Sequence, residues 1–230
     1  MNRKETVVAI NAAEEETLET LKKWWEENGK QLVAAVVIVA AGFGGWNFWE
    51  GQQLAKQGAA SDLYEEILEL TLVDPGQQVA EEDADRIISL SEQLRDNYAQ
   101  STYASFGALF AASQQVASND LEAAEASLQW IIDNHGKGFL AKTDTGLLLT
   151  ANLRLGRVIL ARGDAERALA LVNSVAPQSF EAGYSELRGD IYLALGRRAD
   201  ARDAYLAAQE AGSLSDSLRM KLDDLARVES

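Results

Sequence analysis

Along the chain, one uncharged apolar run is followed by a long stretch in which apolar residues recur every three or four positions. The run extends from Gln31 to Trp49 and reads QLVAAVVIVAAGFGGWNFW, between Lys30 and Glu50. At about 1.5 Å of rise per residue, a helix of this length nearly matches the roughly 30 Å hydrocarbon core of a bilayer. We therefore predict a single transmembrane helix over residues 31–49.

Aromatic residues flank this run on both sides. Trp24 and Trp25 precede it, and Trp46, Phe48 and Trp49 stand at its end. Such belts mark the membrane interfaces, which favours a span over a buried core helix. A cleaved signal peptide is disfavoured because a long acidic segment precedes the run and bulky aromatics occupy its end. We expect an anchor that is retained.

Lysines predict the orientation of the span. Residues 11–30 hold Lys22, Lys23 and Lys30, whereas residues 50–69 hold only Lys56. The positive-inside rule then puts residues 1–30 in the cytoplasm and residues 50–230 outside it.

The cytoplasmic segment carries apolar residues at helical spacing before the span. Leu18, Leu21 and Trp25 share one helix face, and Asn28-Gly29 is a typical helix stop. We predict a short amphipathic helix lying on the membrane surface within residues 1–30.

After the span, the chain repeats itself with the spacing of the tetratricopeptide helix pair, in which small, large apolar and turn residues recur in a fixed order. The best copy consists of Gly189, Tyr192, Gly196, Ala201, Tyr205 and Ala208, an earlier copy of Leu155, Gly156, Ile159, Gly163, Ala168 and Val172, and a weaker one of Ala112, Asn119, Ala124 and Leu128. The fold class is therefore all-α, a transmembrane helix followed by a tetratricopeptide-like solenoid. An unrelated bundle of α-hairpins is the alternative.

The frame divides residues 50–230 into helix pairs. The best repeats are 105–134, 149–181 and 182–212, with a capping helix over 214–229. Residues 52–98 form a degenerate pair broken near Asp74-Pro75-Gly76. Extra residues between the first two good repeats, in the stretch holding Gly136, Gly138 and Gly146, predict a loop.

Small residues in the frame mark close approaches between helices. Gly156, Ala168, Gly189 and Ala201 occupy these positions. Substituting Gly189 by Leu should overpack a helix pair, whereas the same change at Gly183, outside the frame, should be tolerated.

Charge and composition narrow the function classes. The net charge of -15 excludes binding to nucleic acid by phosphate neutralisation. Most of the acidity lies between residues 50 and 134, as solvated helix faces or as a surface for basic partner segments. Cysteine is absent and His135 is the single histidine, placed to end a helix, so we expect no metal site and no cofactor.

An enzyme is disfavoured by the same inventory. Without cysteine, nucleophilic catalysis is left with a Ser-Lys dyad or a carboxylate pair. The acidic groups Glu65-Glu66 and Glu81-Glu82-Asp83 are adjacent in sequence, so on helices they point to different faces. We predict a binding scaffold.

The chain resembles the YfgM-type family, ancillary subunits of the SecYEG translocon in Gram-negative bacteria. The resemblance runs nearly end to end, and the acidic region 61–98 departs most from it. It is carried by Glu27-Asn28-Gly29-Lys30, Gly45-Trp46 with Trp49, Asn152-Leu153-Arg154-Leu155, Leu187-Arg188-Gly189-Asp190 and Met220-Lys221.

The resemblance implies an inner-membrane protein whose repeat domain lies in the periplasm. Its partners would be the translocon, a membrane-anchored parvulin-type chaperone and exported chains, and residues 1–30 would contact a cytoplasmic response regulator. The residues alone leave other assignments open: a scaffold of another envelope complex, in outer-membrane assembly or division, or a regulator acting through its cytoplasmic segment.

The concave face of such a solenoid is its usual binding surface. In the repeat frame this candidate groove is lined by Leu109, Ser113, Leu153, Arg157, Glu186 and Asp190. With one Arg, two acids and apolar positions, it should prefer a mixed or basic segment, or a partner domain, over an acidic tail. The alternative is that these faces are only solvated and the partner docks elsewhere.

Overall fold

The computed structural model describes residues 3–74, 76–136 and 144–228, and every regular element in these ranges is helical. The α-helices are α1 (Arg3–Leu70), α2 (Glu81–Tyr98), α3 (Thr102–Ala117), α4 (Leu121–Asn134), α5 (Thr145–Ala161), α6 (Ala165–Ser174), α7 (Glu181–Ala194), α8 (Arg198–Glu210) and α9 (Asp216–Val228), with a 3-10 turn at Gln178–Phe180 before α7. Contacts divide the chain into two units, Met1–Lys56 and Gln57–Ser230. The predicted all-α class is confirmed.

The first unit is the N-terminal part of α1. Among the described residues, one helical segment, Thr17–Leu70, is long and apolar enough to cross a membrane, with a mean hydropathy of 1.7 in its most apolar window. None of that window is buried, and apolar side chains such as Ile38 and Phe43 are exposed. Apolar side chains without protein neighbours suit a helix surrounded by lipid.

The stop predicted at Asn28-Gly29 is wrong, because α1 continues through it. The Asn28 side chain donates to the Trp24 carbonyl oxygen at 3.1 Å, one turn back. The Trp25 ring covers Gly29, with ring atoms 3.2 Å from where a Cβ would stand. Both side chains thus act within a continuous helix, so the described residues before Gln31 belong to the same helix as the predicted span and do not form a separate one.

The second unit is a row of helix pairs whose turns share one backbone geometry. Asn119, Gly163, Gly196 and Gly212 have φ of 62°, 89°, 74° and 98°, the left-handed region. After each, the next amide bonds to a carbonyl five residues back, as from Asp164 to Ile159 at 3.2 Å and from Arg197 to Tyr192 at 2.8 Å. This is the Schellman ending, which satisfies the last carbonyls of a helix and reverses the chain.

The pairs pack in sequence around an apolar core. α3 to α7 share one cluster that includes Leu128, Leu155 and Leu187. The end of α1 packs with α2 and α3 through Ile67 and Leu90. Aspartates at the helix starts, such as Asp120 and Asp164, accept hydrogen bonds from amides of the first turn and set where the second helices begin.

The loop predicted in the stretch holding Gly136, Gly138 and Gly146 does not extend as far as Gly146. α5 begins at Thr145, so Gly146 lies in its first turn and not in a loop, because the Asp144 side chain accepts from the Leu147 amide at 3.0 Å and caps the helix. Gly136 follows α4 with a φ of 71°. Gly138 lies outside the described residues.

Candidate functional site

The six candidate groove residues lie on the first helices of three successive pairs: Leu109 and Ser113 on α3, Leu153 and Arg157 on α5, and Glu186 and Asp190 on α7. Ser113 and Arg157 are exposed, and Leu153, Glu186 and Asp190 are half-buried. Leu109 is only 9% accessible and packs in the central cluster. Neighbouring helices already cover most of this apolar side chain, so we leave Leu109 out of the groove discussed below.

At the α7 end of the groove, the two acids share a cation from α9. Lys221 Nζ lies 2.9 Å from Glu186 Oε1 and 2.7 Å from Asp190 Oδ1. Burial lowers the pKa of Lys221, but hydrogen bonds to Asp190 and Glu186 outweigh it and leave the pKa raised. Both acids of the candidate groove are thus already paired with Lys221 of α9.

Tyr205 of α8 contacts both Asp190 and Lys221 of this cluster. Its hydroxyl donates to Asp190 Oδ1 at 2.7 Å, and Lys221 Nζ lies 5.5 Å from the centre of its ring. Burial raises the pKa of Tyr205, and the hydrogen bond to Asp190 raises it further, so the phenol stays protonated and remains a donor.

Lys221 is the principal residue that the repeat frame missed. It belongs to the Met220-Lys221 pair that carries part of the family resemblance, so its presence was visible in the sequence. The sequence did not show that Lys221 lies against α7, because that contact depends on how the chain turns between α8 and α9 after Gly212.

In the middle of the groove, α5 and α7 touch directly. The Tyr184 hydroxyl donates to the Leu149 carbonyl oxygen at 2.9 Å, and burial raises the pKa of Tyr184 to about 12. A Cβ on Gly183 would stand 3.0 Å from Leu153 Cδ2. Gly183 is therefore itself close to a neighbouring pair, so the tolerance of Leu at this position stays a prediction that depends on whether the Leu153 side chain can move.

The repeat-packing residues occupy the inside of the pairs and their turns. A Cβ on Gly189 would stand 2.2 Å from Tyr205 Cε1, and one on Gly156 would stand 2.9 Å from Leu187 Cδ2. Ala168, Ala201 and Tyr205 are buried, Tyr192 is half-buried under Arg197, and Gly163 and Gly196 form the turns.

At the opposite end, an aromatic cluster lies between the end of α1 and α3. The Tyr64 ring centre is 5.3 Å from that of Tyr103, 6.3 Å from that of Phe106 and 6.1 Å from that of Phe110. All four are half-buried. The repeat frame missed this cluster because Tyr64 belongs to the degenerate first pair.

Two further groups bear on chemistry. Among the side chains described from Thr17 onward, no three His, Cys, Asp or Glu residues converge as metal ligands. His135 follows the last residue of α4, and its Nε2 accepts a hydrogen bond from the Asp144 amide at 2.6 Å. This hydrogen bond joins the residue after α4 to the residue before α5, so the nitrogen already has a partner within the chain.

Comparisons with known proteins bear on this architecture. A family model described as a tetratricopeptide repeat-like domain matches residues 22–227, which include the apolar run as well as the helix pairs. No solved structure matches the chain significantly.

Among curated proteins, relatives named ancillary SecYEG translocon subunit match most of the chain. The one from Haemophilus influenzae is 30% identical over 95% of this chain and all of its own length. The one from Aggregatibacter actinomycetemcomitans is 31% identical over the same shares, and the one from Escherichia coli is 29% identical over 79% of this chain and 82% of its own. The apolar helix, the helix pairs and this end-to-end similarity together show that the chain belongs to the tetratricopeptide repeat-like family of ancillary SecYEG translocon subunits.

Proposed function

We propose that this chain is a non-catalytic, membrane-anchored scaffold of the SecYEG translocon. Residues 31–49 span the inner membrane, residues 1–30 lie in the cytoplasm, and residues 50–230 hold partners in the periplasm. The observation that carries the proposal is similarity over the whole length of two relatives named for this role. The exposed apolar surface of α1 supports the anchor.

The partner surface in this proposal is the groove formed by Ser113, Leu153, Arg157, Glu186 and Asp190. These side chains mix apolar, cationic and anionic groups and lie on successive first helices. A surface of this kind holds an extended segment or a helix by many weak contacts, with charge setting the register. The occupant is an exported chain or a membrane-anchored parvulin-type chaperone.

The segment before the span has its own partner in this proposal. Residues 1–30 contact a cytoplasmic response regulator, and the support is the family resemblance.

Photocrosslinking tests the translocon assignment. A photoreactive amino acid at Trp49, beside the predicted membrane interface, should give adducts with SecYEG subunits in living cells. The same probe at Gln209, exposed on α8, should give few. Adducts from Trp49 with an outer-membrane assembly or division complex, and none with SecYEG, would assign the scaffold to that machine.

A charge reversal tests the groove. Arg157→Glu changes an exposed groove residue, and Arg198→Glu makes the same change on exposed α8. Copurification of the periplasmic partner should fall several-fold with Arg157→Glu and remain unchanged with Arg198→Glu. A charge affects binding mainly when it faces the partner across the interface. Equal recovery with both variants would place the partner elsewhere.

A further inference from the structure

α9 rests on a seat made by α7 and α8, which we define by Glu186, Asp190, Tyr205 and Ala208. Leu218 and Leu225 of α9 are buried in one cluster with Tyr205 and Ala208. Lys221, between these leucines on the same face, reaches the two carboxylates at 2.9 and 2.7 Å. The seat therefore already holds an amphipathic helix with one cation between two apolar anchors.

The attachment of α9 is limited in extent. Of its side chains described through Arg227, Leu218 and Leu225 are the buried ones and Leu222 is partly buried against them, while α5 buries seven residues and α7 five. Met220 is 64% exposed, and Leu214 in the preceding segment is 93% exposed. A terminal helix with few buried anchors opens at a smaller free-energy cost than the core pairs.

The carboxylates of Glu186 and Asp190 determine which kind of segment can displace α9. If α9 leaves, the half-buried Glu186 and Asp190 lose their cation, and unpaired carboxylates of this kind are costly. Arg219 pairs at 3.0 Å with Asp216 of α9 itself, so it does not serve the seat. A segment that displaces α9 must bring its own cations.

The chemistry of the replacement follows from the spacing of the acids. Glu186 and Asp190 are four residues apart on α7, so both carboxylates lie on one helix face. One ammonium faces two carboxylates when α9 is seated, which leaves a formal charge of -1 at the seat. A helix with two Lys or Arg residues would neutralise both acids, and its apolar side chains would take the places of Leu218 and Leu225.

From this we infer that α9 is a displaceable occupant of the seat, and that the partner segment bound there is a basic amphipathic helix that replaces it. The inference rests on the proposed binding role of the groove. It adds the chemistry of the partner and the reason why acidic or uncharged segments are rejected: they cannot compensate Glu186 and Asp190.

The test uses the full chain in detergent micelles and two synthetic peptides. One is an amphipathic helix with leucines on one face and lysines beside them, and the other carries glutamates in place of the lysines. The lysine peptide should raise amide hydrogen exchange in α9 and lower it in α7. The glutamate peptide should change neither.

Two variants on α9 sharpen the test. Lys221→Met removes the cation with which α9 competes against the peptide. The lysine peptide should then bind about tenfold more tightly, because α9 occupies the seat in a smaller fraction of the molecules. Arg219→Met removes a cation from the exposed side of the same helix and should leave the affinity unchanged. Lys221→Arg should behave as the wild type.

Several outcomes would overturn the inference. These are lysine-peptide binding without release of α9, equal affinity in the Lys221→Met and Arg219→Met variants, and binding of the glutamate peptide. A dimer formed by Lys221→Met without peptide would assign the seat to a second copy. Crosslinking from Trp49 to SecYEG should persist in every variant, so a failure of this inference is distinguishable from a failure of the proposed translocon role.

Discussion

At the scale of single residues, Gly189 begins a chain of contacts that reaches α9. Because it has no Cβ, the Tyr205 ring packs against the α7 backbone. That position lets the Tyr205 hydroxyl donate to Asp190, which in turn binds Lys221. One missing methyl group thus supports both the packing of the last pair and the seat of α9.

Gly189→Ala should destabilise the repeat domain. The new Cβ would stand 2.2 Å from Tyr205 Cε1, and the ring is held by its hydrogen bond to Asp190, so the pair must move apart. We expect a loss of about 1 to 3 kcal/mol in the free energy of unfolding, measured by urea titration with far-ultraviolet circular dichroism.

Gly58→Ala is the matched control for this variant. Gly58 also lies inside a helix, and nothing comes within 4 Å of its would-be Cβ. There Ala should stabilise the protein by up to about 1 kcal/mol through helix propensity. A loss of similar size at both positions would contradict the close contact at Gly189.

At the scale of elements, the turns between helices are the most repeated feature of the second unit. Gly163, Gly196 and Gly212 occupy three of them, and Asn119 occupies the equivalent place after α3. Asn enters the left-handed region more easily than other residues with a side chain, which is why the weaker repeat retains its turn without glycine.

Substitutions at Asn119 should follow this backbone requirement. Asn119→Ala should cost about 1 kcal/mol because Ala has no compensation for a positive φ, and Asn119→Gly should be neutral or stabilising. Asn173→Ala, in the helical backbone of α6, is the control and should be neutral or slightly favourable. If thermal melts show Asn119→Ala to be harmless, the turn geometry is wrong.

An ion cluster joins the second helix of one pair to the next pair. Glu125 of α4 accepts hydrogen bonds from Arg162, at the end of α5, and from Arg167 on α6. The Arg167 hydrogen bond is the main cause that holds the pKa of Glu125 below its ordinary value, and Arg162 contributes although burial opposes both.

The stabilisation from Glu125 should depend on pH in one direction. A lowered pKa in the folded protein means that the contribution is complete above the ordinary value near 4.5 and is lost as the pH falls through the folded value. Glu125→Gln should therefore cost about 1 kcal/mol at neutral pH, a modest figure because the arginines are partly exposed.

The measurement is the unfolding midpoint of the wild type and of Glu125→Gln across an acid series. Their difference should shrink as the pH falls below about 4.5. Glu65→Gln, on an exposed position of α1, should track the wild type throughout. A constant difference at all pH values would remove the ionic explanation for Glu125.

At the scale of the whole molecule, an apolar helix and a helix-pair domain divide the proposed tasks. The N-terminal unit exposes apolar side chains along α1, and the second unit buries its own in a continuous core. In the proposed arrangement, α1 provides the anchor and the helix pairs provide the surface for partners.

Cysteine labelling should report the topology of the anchored chain. Because the protein has no cysteine, Gln209→Cys and Glu19→Cys each provide a single thiol. In intact spheroplasts an impermeant thiol reagent should label Gln209→Cys, and Glu19→Cys should be labelled only after lysis, as the positive-inside rule requires. The reverse pattern would invert the proposed orientation.

Local requirements along the chain were enough to predict the helical class and the three turn positions Asn119, Gly163 and Gly196. These features depend on spacing of apolar residues and on backbone conformation within a few residues, which the sequence carries directly. The close approach at Gly189 was accessible in the same way, because the repeat spacing places a small residue opposite a large one.

Contacts between helices distant in sequence were decided only by the tertiary structure. The core position of Leu109, the contact of Gly183 with Leu153 and the pairing of Lys221 with two acids of α7 depend on how successive pairs are rotated. A small change in the angle between two packed helices moves a side chain from solvent into a contact. The local sequence pattern does not determine that angle. The sequence by itself therefore determined the helical class, the turns between pairs and the family, and the packing of pairs determined which candidate groove residues are covered or paired.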